Sequence, residues 1–241
     1  MSYDELRPDD DLSKYVDSFW FYRDTLAGAP VPILPDGCMD LIFDTTSGGR
    51  GVVCGTMSHS RMVRIEPGQG LFGIRFRPGV LPTLLDEAAS RFRDEVVDLV
   101  TVSPYLSCRF SSLQLMSSSK EMRAFCAHLL AEELRDLSLD LRPYSLFSPH
   151  LSVRSLASSL GLGVRQLERL FSRHVGISPK RFLQIIRFRR LHKALKKGNV
   201  SLAHLALDMG YGDQSHMNRE YRRLHPEGER LSYLSKNRKE R

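Results

Sequence analysis

Cysteine is scarce in this sequence, and the four that occur, Cys38, Cys54, Cys108 and Cys126, include no CxxC pair. That pattern indicates neither a zinc ribbon nor a redox dithiol, so we expect reduced thiols. Apolar runs are short: none approaches the ~20 residues that cross a bilayer. The acidic start, MSYDELRPDDD, also lacks the apolar segment of a signal peptide. We therefore expect a cytoplasmic protein with no membrane partner.

Histidine is nearly missing from the first half. Of eight histidines, only His59 lies among the predicted strands, and the other seven begin at His128. Metal chemistry of the cupin type needs several histidines with a carboxylate, so we expect no metal, no cofactor and no enzyme. A nucleophilic thiol at Cys38 or Cys54 would need a base, for which His59 is the nearby group. Two buried structural thiols are the simpler explanation.

Acidic residues are scarce in the second half. Residues 150–241 contain 20 Lys and Arg against 7 Asp and Glu, a balance of +13, whereas residues 1–149 contain 15 against 21, a balance of −6. This asymmetry predicts that one end of the chain binds a polyanion. A solvated basic surface is the alternative.

The first half has the pattern of short strands separated by turns. Strand-like runs occur at 15–23, 39–45, 51–56 and 71–80, which is typical of a small barrel or sandwich. Residues 81–100 then have a helical, acidic pattern. A second helical pattern follows, in which apolar residues recur at helical spacing over 121–137. This stripe either pairs two subunits or packs on its own domain.

An internal repeat occupies the second half. At an offset of 49 residues, Ala157 and Gly161 match Ala206 and Gly210; after the glycine the offset becomes 50, so the second copy has a longer turn. A small residue lets a second helix cross closely, and a glycine four residues later ends the first helix in the left-handed conformation. The following apolar residues fold a second helix back, which is the helix-turn-helix pattern. A helical bundle with an accidental repeat is the alternative.

A long helix is predicted between the two copies, over residues 180–197. It would span about 27 Å, close to the ~34 Å between successive major grooves on one face of DNA. We predict an α+β protein of two domains: an N-terminal β-barrel-like (cupin-like) domain with flanking helices, and an all-α domain with two helix-turn-helix motifs joined by the long helix. The predicted bounds are 1–141 for the first domain, 142–150 for a linker and 151–241 for the second domain, with motifs at about 152–175 and 201–224.

The segment ISPKRFLQIIRFRRLHKALKKGNVSLAHLALDMGYGDQSHMNREYRR resembles the DNA-binding domain of AraC/XylS-family bacterial transcription regulators. The two A-x3-G pairs, a G-x-S-P segment and a second copy close to G-Y/F-x-D-x-S-H-F-x-R-x-F carry this resemblance, which covers about residues 150–230. Met217 replaces the usual Phe, and Pro226 stands where the first copy has Gly176. The first half, through VPILPDGCMDLIF and GIRFRPGV, resembles the β-rich sensor domains that precede this module. The resemblance implies sequence-specific binding to double-stranded DNA, with RNA polymerase as a further partner.

The exposed residues of the two recognition helices, starting near Val164 and Gln214, are the candidates for DNA contact. Arg suits guanine, Gln suits adenine, and Glu accepts from cytosine. The base-contact candidates are Arg165, Gln166, Glu168, Arg169, Gln214, Ser215, His216, Asn218 and Arg219, and the resemblance favours Arg169 and Arg219. The phosphate-contact candidates are Ser152, Ser172, Arg173, Lys180, Arg181, Ser201, Arg222 and Arg223. Ser152 and Ser201 are also predicted helix N-caps.

Four arginines stand out in the acidic first half: Arg61, Arg64, Arg75 and Arg77. They are candidates for binding an anionic small-molecule effector, and surface pairing with Asp and Glu is the alternative. Three interpretations of this half stay open. It senses a small molecule, it binds a protein partner or a second copy of the chain, or it is a DNA-tethered enzyme that transfers an alkyl group to a cysteine.

Overall fold

The computed structural model describes residues 2–9, 11–23, 30–46, 50–116, 118–145, 150–197 and 201–225. The strands in these residues are β1 Ser2–Leu6, β2 Val16–Arg23, β3 Val31–Ile33, β4 Met39–Asp44, β5 Gly51–Cys54, β6 Arg61–Val63, β7 Gly70–Phe76 and β8 Val96–Asp98. The helices are α1 Val80–Leu84, α2 Leu99–Val102, α3 Pro104–Arg109, α4 Ser119–Glu133, α5 Arg142–Ser145, α6 Val153–Ser159, α7 Val164–His174, α8 Pro179–Lys197, α9 Leu202–Asp208 and α10 Gln214–Leu224. All eight of these strands thus lie before residue 99 together with flanking helices, and the residues described after 150 contain helices only, which confirms the predicted two-domain α+β class.

The strands form two antiparallel sheets. Six of them lie in the order β1-β2-β7-β4-β5-β8, and β3 pairs with β6 in a separate two-stranded ribbon. The central pairing sets Leu41 opposite Ile74, and Trp20 lies opposite Gly73 on the neighbouring pair. Because β1 and β8 end the large sheet without pairing in the described part of the chain, this domain consists of two sheets and not a hydrogen-bonded closed barrel.

One face of the large sheet packs on helices. Period-two alternation places Leu41, Phe72 and Ile74 on that face, where each is fully buried. Cys126 and Leu130 of α4 belong to the same apolar core. The apolar stripe predicted over 121–137 therefore packs on its own domain.

The opposite face of the sheet holds a smaller apolar cluster around Trp20, Tyr22 and Ile65, with Val31 of the ribbon packed against it. Trp20 needs the glycine opposite it, because a Cβ at Gly73 would lie 2.0 Å from the indole ring. The ribbon and the tryptophan together cover this face.

The helices of the second half enclose a separate core. Its largest members include Phe171, Phe182, Phe188 and Tyr221, each at most 1% exposed. Tyr144 of α5 also belongs to this core, so this residue of the predicted linker packs with the second half. Residues 146–149 lie outside the described residues, and the predicted domain bounds stay a prediction.

Two element predictions were wrong in detail. Residues 81–100 contain strand β8 besides short helices, because Val96 and Val97 pair with the edge of β5. The second helix covers 119–133 and not 121–137; its start is fixed by Ser118, whose hydroxyl accepts from the backbone N–H of Glu121. Within the described residues, no helix is both long and apolar enough to span a membrane.

Candidate nucleic-acid interface

The first helix-turn-helix is formed by α6 and α7. Ser152 caps α6 as predicted, since its Oγ accepts from the N–H of Ser155 at 3.1 Å, and Ser155 Oγ accepts in return from the N–H of Ser152 at 2.9 Å. Gly161 has φ +67°, and the N–H of Leu162 donates to the carbonyl of Ala157 at 2.9 Å. This bond closes the end of α6 and starts the turn.

The second helix-turn-helix repeats this geometry in α9 and α10. Gly210 has φ +73°, and the N–H of Tyr211 donates to the carbonyl of Ala206 at 2.9 Å, the counterpart of the bond in the first copy. Asp213 caps α10 by accepting from the N–H of His216 at 2.6 Å. The Ser201 hydroxyl accepts no hydrogen bond from a backbone N–H at the start of α9, so the prediction that it caps this helix was wrong.

The recognition helix α7 buries one stripe and exposes the other. Leu167 and Phe171 are fully buried. The candidates on the remaining faces are all exposed: Arg165, Gln166, Glu168, Arg169, Ser172 and Arg173. Gln166 nevertheless has a task inside the protein, because its Oε1 accepts from the N–H of Gly163 at 2.7 Å and thereby caps α7.

The recognition helix α10 exposes fewer of its candidates. Gln214, Ser215, Arg219, Arg222 and Arg223 are exposed, whereas His216 and Asn218 are half-buried. The ring of His216 packs edge-on against Tyr211 with centroids 5.4 Å apart. Asn218 turns its Oδ1 into the protein. These two residues therefore offer less to a DNA base than their neighbours.

The surface joining the two motifs is strongly basic. Each recognition helix carries three arginines and one glutamate, and α8 carries eight basic residues and no acidic one. The 19 residues of α8 span about 28 Å. This length is close to the ~34 Å between successive major grooves on one face of DNA, and a basic surface supplies the sequence-independent part of DNA binding.

One phosphate candidate is engaged elsewhere. Arg181 is half-buried, and its Nε donates to the carbonyl of Ser58 in the first domain at 2.8 Å. Its neighbour Lys180 is exposed, as are Ser152 and Ser201. Sequence reasoning assigned Arg181 to DNA because a basic residue on a helix gives no sign that a distant carbonyl lies beside it.

The effector candidates do not share one site. Arg75 is enclosed by Asp36 at 3.1 Å and by Asp40 and Glu5 at 3.4 Å each. Arg61 lies 3.9 Å from Asp94, Arg77 donates to the carbonyl of Ser13 at 2.6 Å, and Arg64 is exposed. Pairing with acidic groups thus accounts for Arg75 and Arg61, and three carboxylates beside one guanidinium leave no positive charge for an anionic effector.

The acids around Arg75 form a partly buried polar group that the sequence did not reveal. Asp40 accepts from Trp20 Nε1 at 2.9 Å. Burial raises the pKa of Asp40 to about 6, although the nearby Arg75 opposes this rise. The alternation of Asp40 with buried Leu41 was visible in the sequence, but not the approach of Asp36 and Glu5.

The thiols of the first domain are poorly suited to nucleophilic chemistry. Burial raises the pKa of Cys54 to about 12 and that of Cys38 well above its ordinary value, whereas a reactive cysteine needs a lowered pKa. His59 contacts Ser58 Oγ at 3.1 Å and Asp94 at 3.5 Å. Within the described residues, no cluster of three or more His, Cys, Asp or Glu residues is arranged to hold a metal ion.

Sequence reasoning also missed a buried charge pair in the second motif. Glu220 of α10 is 7% exposed and lies 3.9 Å from Arg187 of α8. The guanidinium of Arg187 lies over the ring of Tyr211, 5.1 Å from its centroid. One signal was available: Glu220 follows Met217 by three residues, which places it on the buried face of α10.

This geometry defines two helix-turn-helix motifs in a chain that has an additional β-sheet domain. Residues 156–227 match a family model described as a helix-turn-helix domain, and residues 4–98 match one described as domain of unknown function DUF6597. The activator RhaS of Escherichia fergusonii is 29% identical over 77 residues, which cover 32% of this chain and 28% of that protein. RhaS of Salmonella arizonae is 27% identical over 77 residues, again covering 28% of its length.

By these matches the second half of the chain is a helix-turn-helix domain similar to part of the transcriptional activator RhaS, and it contains two such motifs. It spans about 28% of the length of these RhaS relatives. Among solved structures, ToxT from Vibrio cholerae aligns over 97% of this chain and 96% of its own, at 10% identity and a TM-score of 0.39.

Proposed function

We propose that the chain regulates transcription by binding a specific DNA site, with α7 and α10 entering successive major grooves. One observation carries this proposal: the same turn geometry occurs twice, at Gly161 and Gly210, and each turn presents an exposed arginine-rich helix. Base contacts then fall to exposed residues of these helices, foremost Arg169 and Arg219, while Arg173, Arg222, Arg223 and Lys180 contact phosphates.

The test begins by selecting a preferred duplex from random DNA with the full chain. Arg169→Ala and Arg219→Ala should each weaken binding to that duplex by roughly 1–3 kcal/mol and leave non-specific binding nearly unchanged. Fluorescence anisotropy at fixed salt measures both. Arg135→Ala, an exposed arginine of the acidic half, is the matched control. Equal losses on both DNAs would reassign the two arginines to phosphate.

The sheet domain has the role of a sensor in this proposal. It acts on α7 through a small molecule or a protein partner, and RNA polymerase and a second copy of the chain are the further partners. An anionic effector would have to use Arg64 or Arg77, because Arg75 is paired with three acids. Ligand screening by thermal shift, followed by anisotropy with each hit, separates a small-molecule sensor from a protein-binding domain.

An alkyl-transferring enzyme is a weaker proposal for the same domain. The raised pKa of Cys38 and Cys54 removes the thiolate that such a reaction requires. A mass increase on either cysteine after exposure to alkylated DNA would revive it.

A further inference from the structure

The first residues of the two recognition helices differ in chemistry. Val164 begins α7, and Gln214 occupies the corresponding place in α10. Spacing of three and seven residues from Leu167 and Phe171 would place Val164 on the buried stripe, yet it is 38% exposed. The N-terminal residues of a recognition helix are those that reach base edges. Val164 therefore presents an apolar surface where bases are read.

The neighbouring glutamine is not free to read a base. Bidentate recognition of adenine uses both the oxygen and the nitrogen of an amide, and the oxygen of Gln166 is bonded to the N–H of Gly163 at 2.7 Å. In α10 the N-cap residue Asp213 provides the capping bond itself, because its carboxylate accepts from the N–H of His216. Gln214, the first residue of that helix, is exposed.

We propose that Val164 is a specificity residue that contacts a thymine methyl group in the half-site of α7, whereas Gln214 recognises adenine in the half-site of α10. Gln166 is a positioning residue that fixes the start of α7. Thymine is the base that presents a methyl group in the major groove, so a side chain without hydrogen-bonding groups can select it. The inference rests on the proposed function, and it predicts two half-sites of different sequence.

The test uses the full chain and its selected duplex. Each thymine of the α7 half-site is replaced in turn by deoxyuridine, which lacks the methyl group, and affinity is measured by anisotropy. We expect one position at which wild type loses about 3–5-fold, the effect of one methyl group. Val164→Ala, which loses both γ-methyl groups, should bind the thymine and deoxyuridine duplexes equally, while Val164→Thr, which keeps one γ-methyl group, should retain sensitivity. An unchanged loss in Val164→Ala overturns the proposal.

The glutamines have their own test. Replacing adenines of the α10 half-site by 7-deazaadenine should weaken wild type by about 5–10-fold at one position and leave Gln214→Ala unaffected. Gln166→Ala should lower the Tm by about 2–4 °C through the lost cap without changing the base preferences. A changed preference in Gln166→Ala would overturn its positioning role.

Failure of this inference differs from failure of the proposed function. If a preferred duplex is selected but no thymine responds to Val164, only the inference falls. If no duplex is preferred over random DNA, or Arg169→Ala and Arg219→Ala bind it as wild type does, both fall.

Discussion

Gly161 and Gly210 each determine where the first helix of a helix-turn-helix motif ends. Each adopts positive φ, which costs an L side chain about 1–2 kcal/mol. At Gly161 no atom lies within 4 Å of the position that a Cβ would take. Glycine is therefore required there by the backbone conformation and not by lack of space. Gly212 stands in equally open space without a positive φ, although the sequence offers nothing to separate these glycines except the repeat.

Gly161→Ala should therefore destabilise the chain by about 1 kcal/mol, with Gly161→Asn intermediate because Asn tolerates the left-handed region. Gly212→Ala, the matched control, should be neutral within about 0.5 kcal/mol. Urea unfolding measures all three. Equal effects at the two positions would show that backbone conformation is not the cause.

His192 of α8 is a second residue with a measurable consequence. It shares a hydrogen bond of 3.0 Å with the hydroxyl of Tyr221, and its ring lies 5.9 Å from that of His225. Burial, helped by the charges of Lys196, His225 and Arg189, lowers its pKa to about 4. Folding therefore favours the neutral ring.

The contribution of His192 to the free energy of unfolding is fully present above about pH 6.5, the pKa of a histidine in the unfolded chain. It is lost as the pH falls towards 4, because the unfolded chain then binds a proton that the folded protein does not. The expected loss is about 1–2 kcal/mol, reduced from the full linkage value because the ring is half-exposed. His192→Gln should flatten the fall in Tm between pH 6.5 and 4.5 relative to wild type. An unchanged pH profile would place the titration elsewhere, with His174, whose pKa burial also lowers, as the next candidate.

At the scale of whole elements, the contact between α8 and α10 combines an ion pair with apolar packing. Glu220 is buried there beside the half-buried Arg187, and Arg187 also contacts Tyr211 of the longer turn. Removing one partner of a buried pair leaves an uncompensated charge, whereas removing both costs much less.

Glu220→Gln and Arg187→Met should each destabilise the chain by about 2–4 kcal/mol, and the double variant by less than their sum. Urea unfolding gives the three free energies. Lower affinity for the α10 half-site is also expected, with the α7 half-site spared. Additive losses would show that the two side chains act independently.

For the molecule as a whole, the notable contact is between the sheet domain and the first motif. Gly176, at φ +83°, approaches Ala89 so closely that a Cβ would lie 2.7 Å from its carbonyl oxygen. Thr83 Oγ1 lies 3.3 Å from His174 Nδ1 at the end of α7, and Arg181 donates to Ser58. The sheet domain thus touches the recognition helix directly, which gives it a route to DNA binding.

Variants of the neighbouring residues Lys180 and Arg181 can distinguish a DNA contact from a contact between the two domains. Lys180→Ala should lower the slope of log affinity against log salt by about 1, because one phosphate contact is lost. Arg181→Ala should leave that slope unchanged and increase hydrogen exchange around Ser58. A lower salt slope in Arg181→Ala would mean that this side chain leaves Ser58 for a phosphate.

The sequence by itself determined the local features of this protein. The spacing of apolar residues predicted α7, α8 and α10, because the buried residues of a helix recur at intervals of three and four. The repeat identified Gly161 and Gly210, and charge marked the half that is proposed to bind DNA. These predictions needed no contact between distant residues.

Only the tertiary structure decided what distant residues do to one another. It paired Arg75 with three acids and turned Arg181 from DNA towards Ser58. It also exposed Val164, which the helical pattern places in the core. A pattern records which face of an element is apolar. The partner of a charge depends on chain segments up to 123 residues away, and no local spacing encodes it.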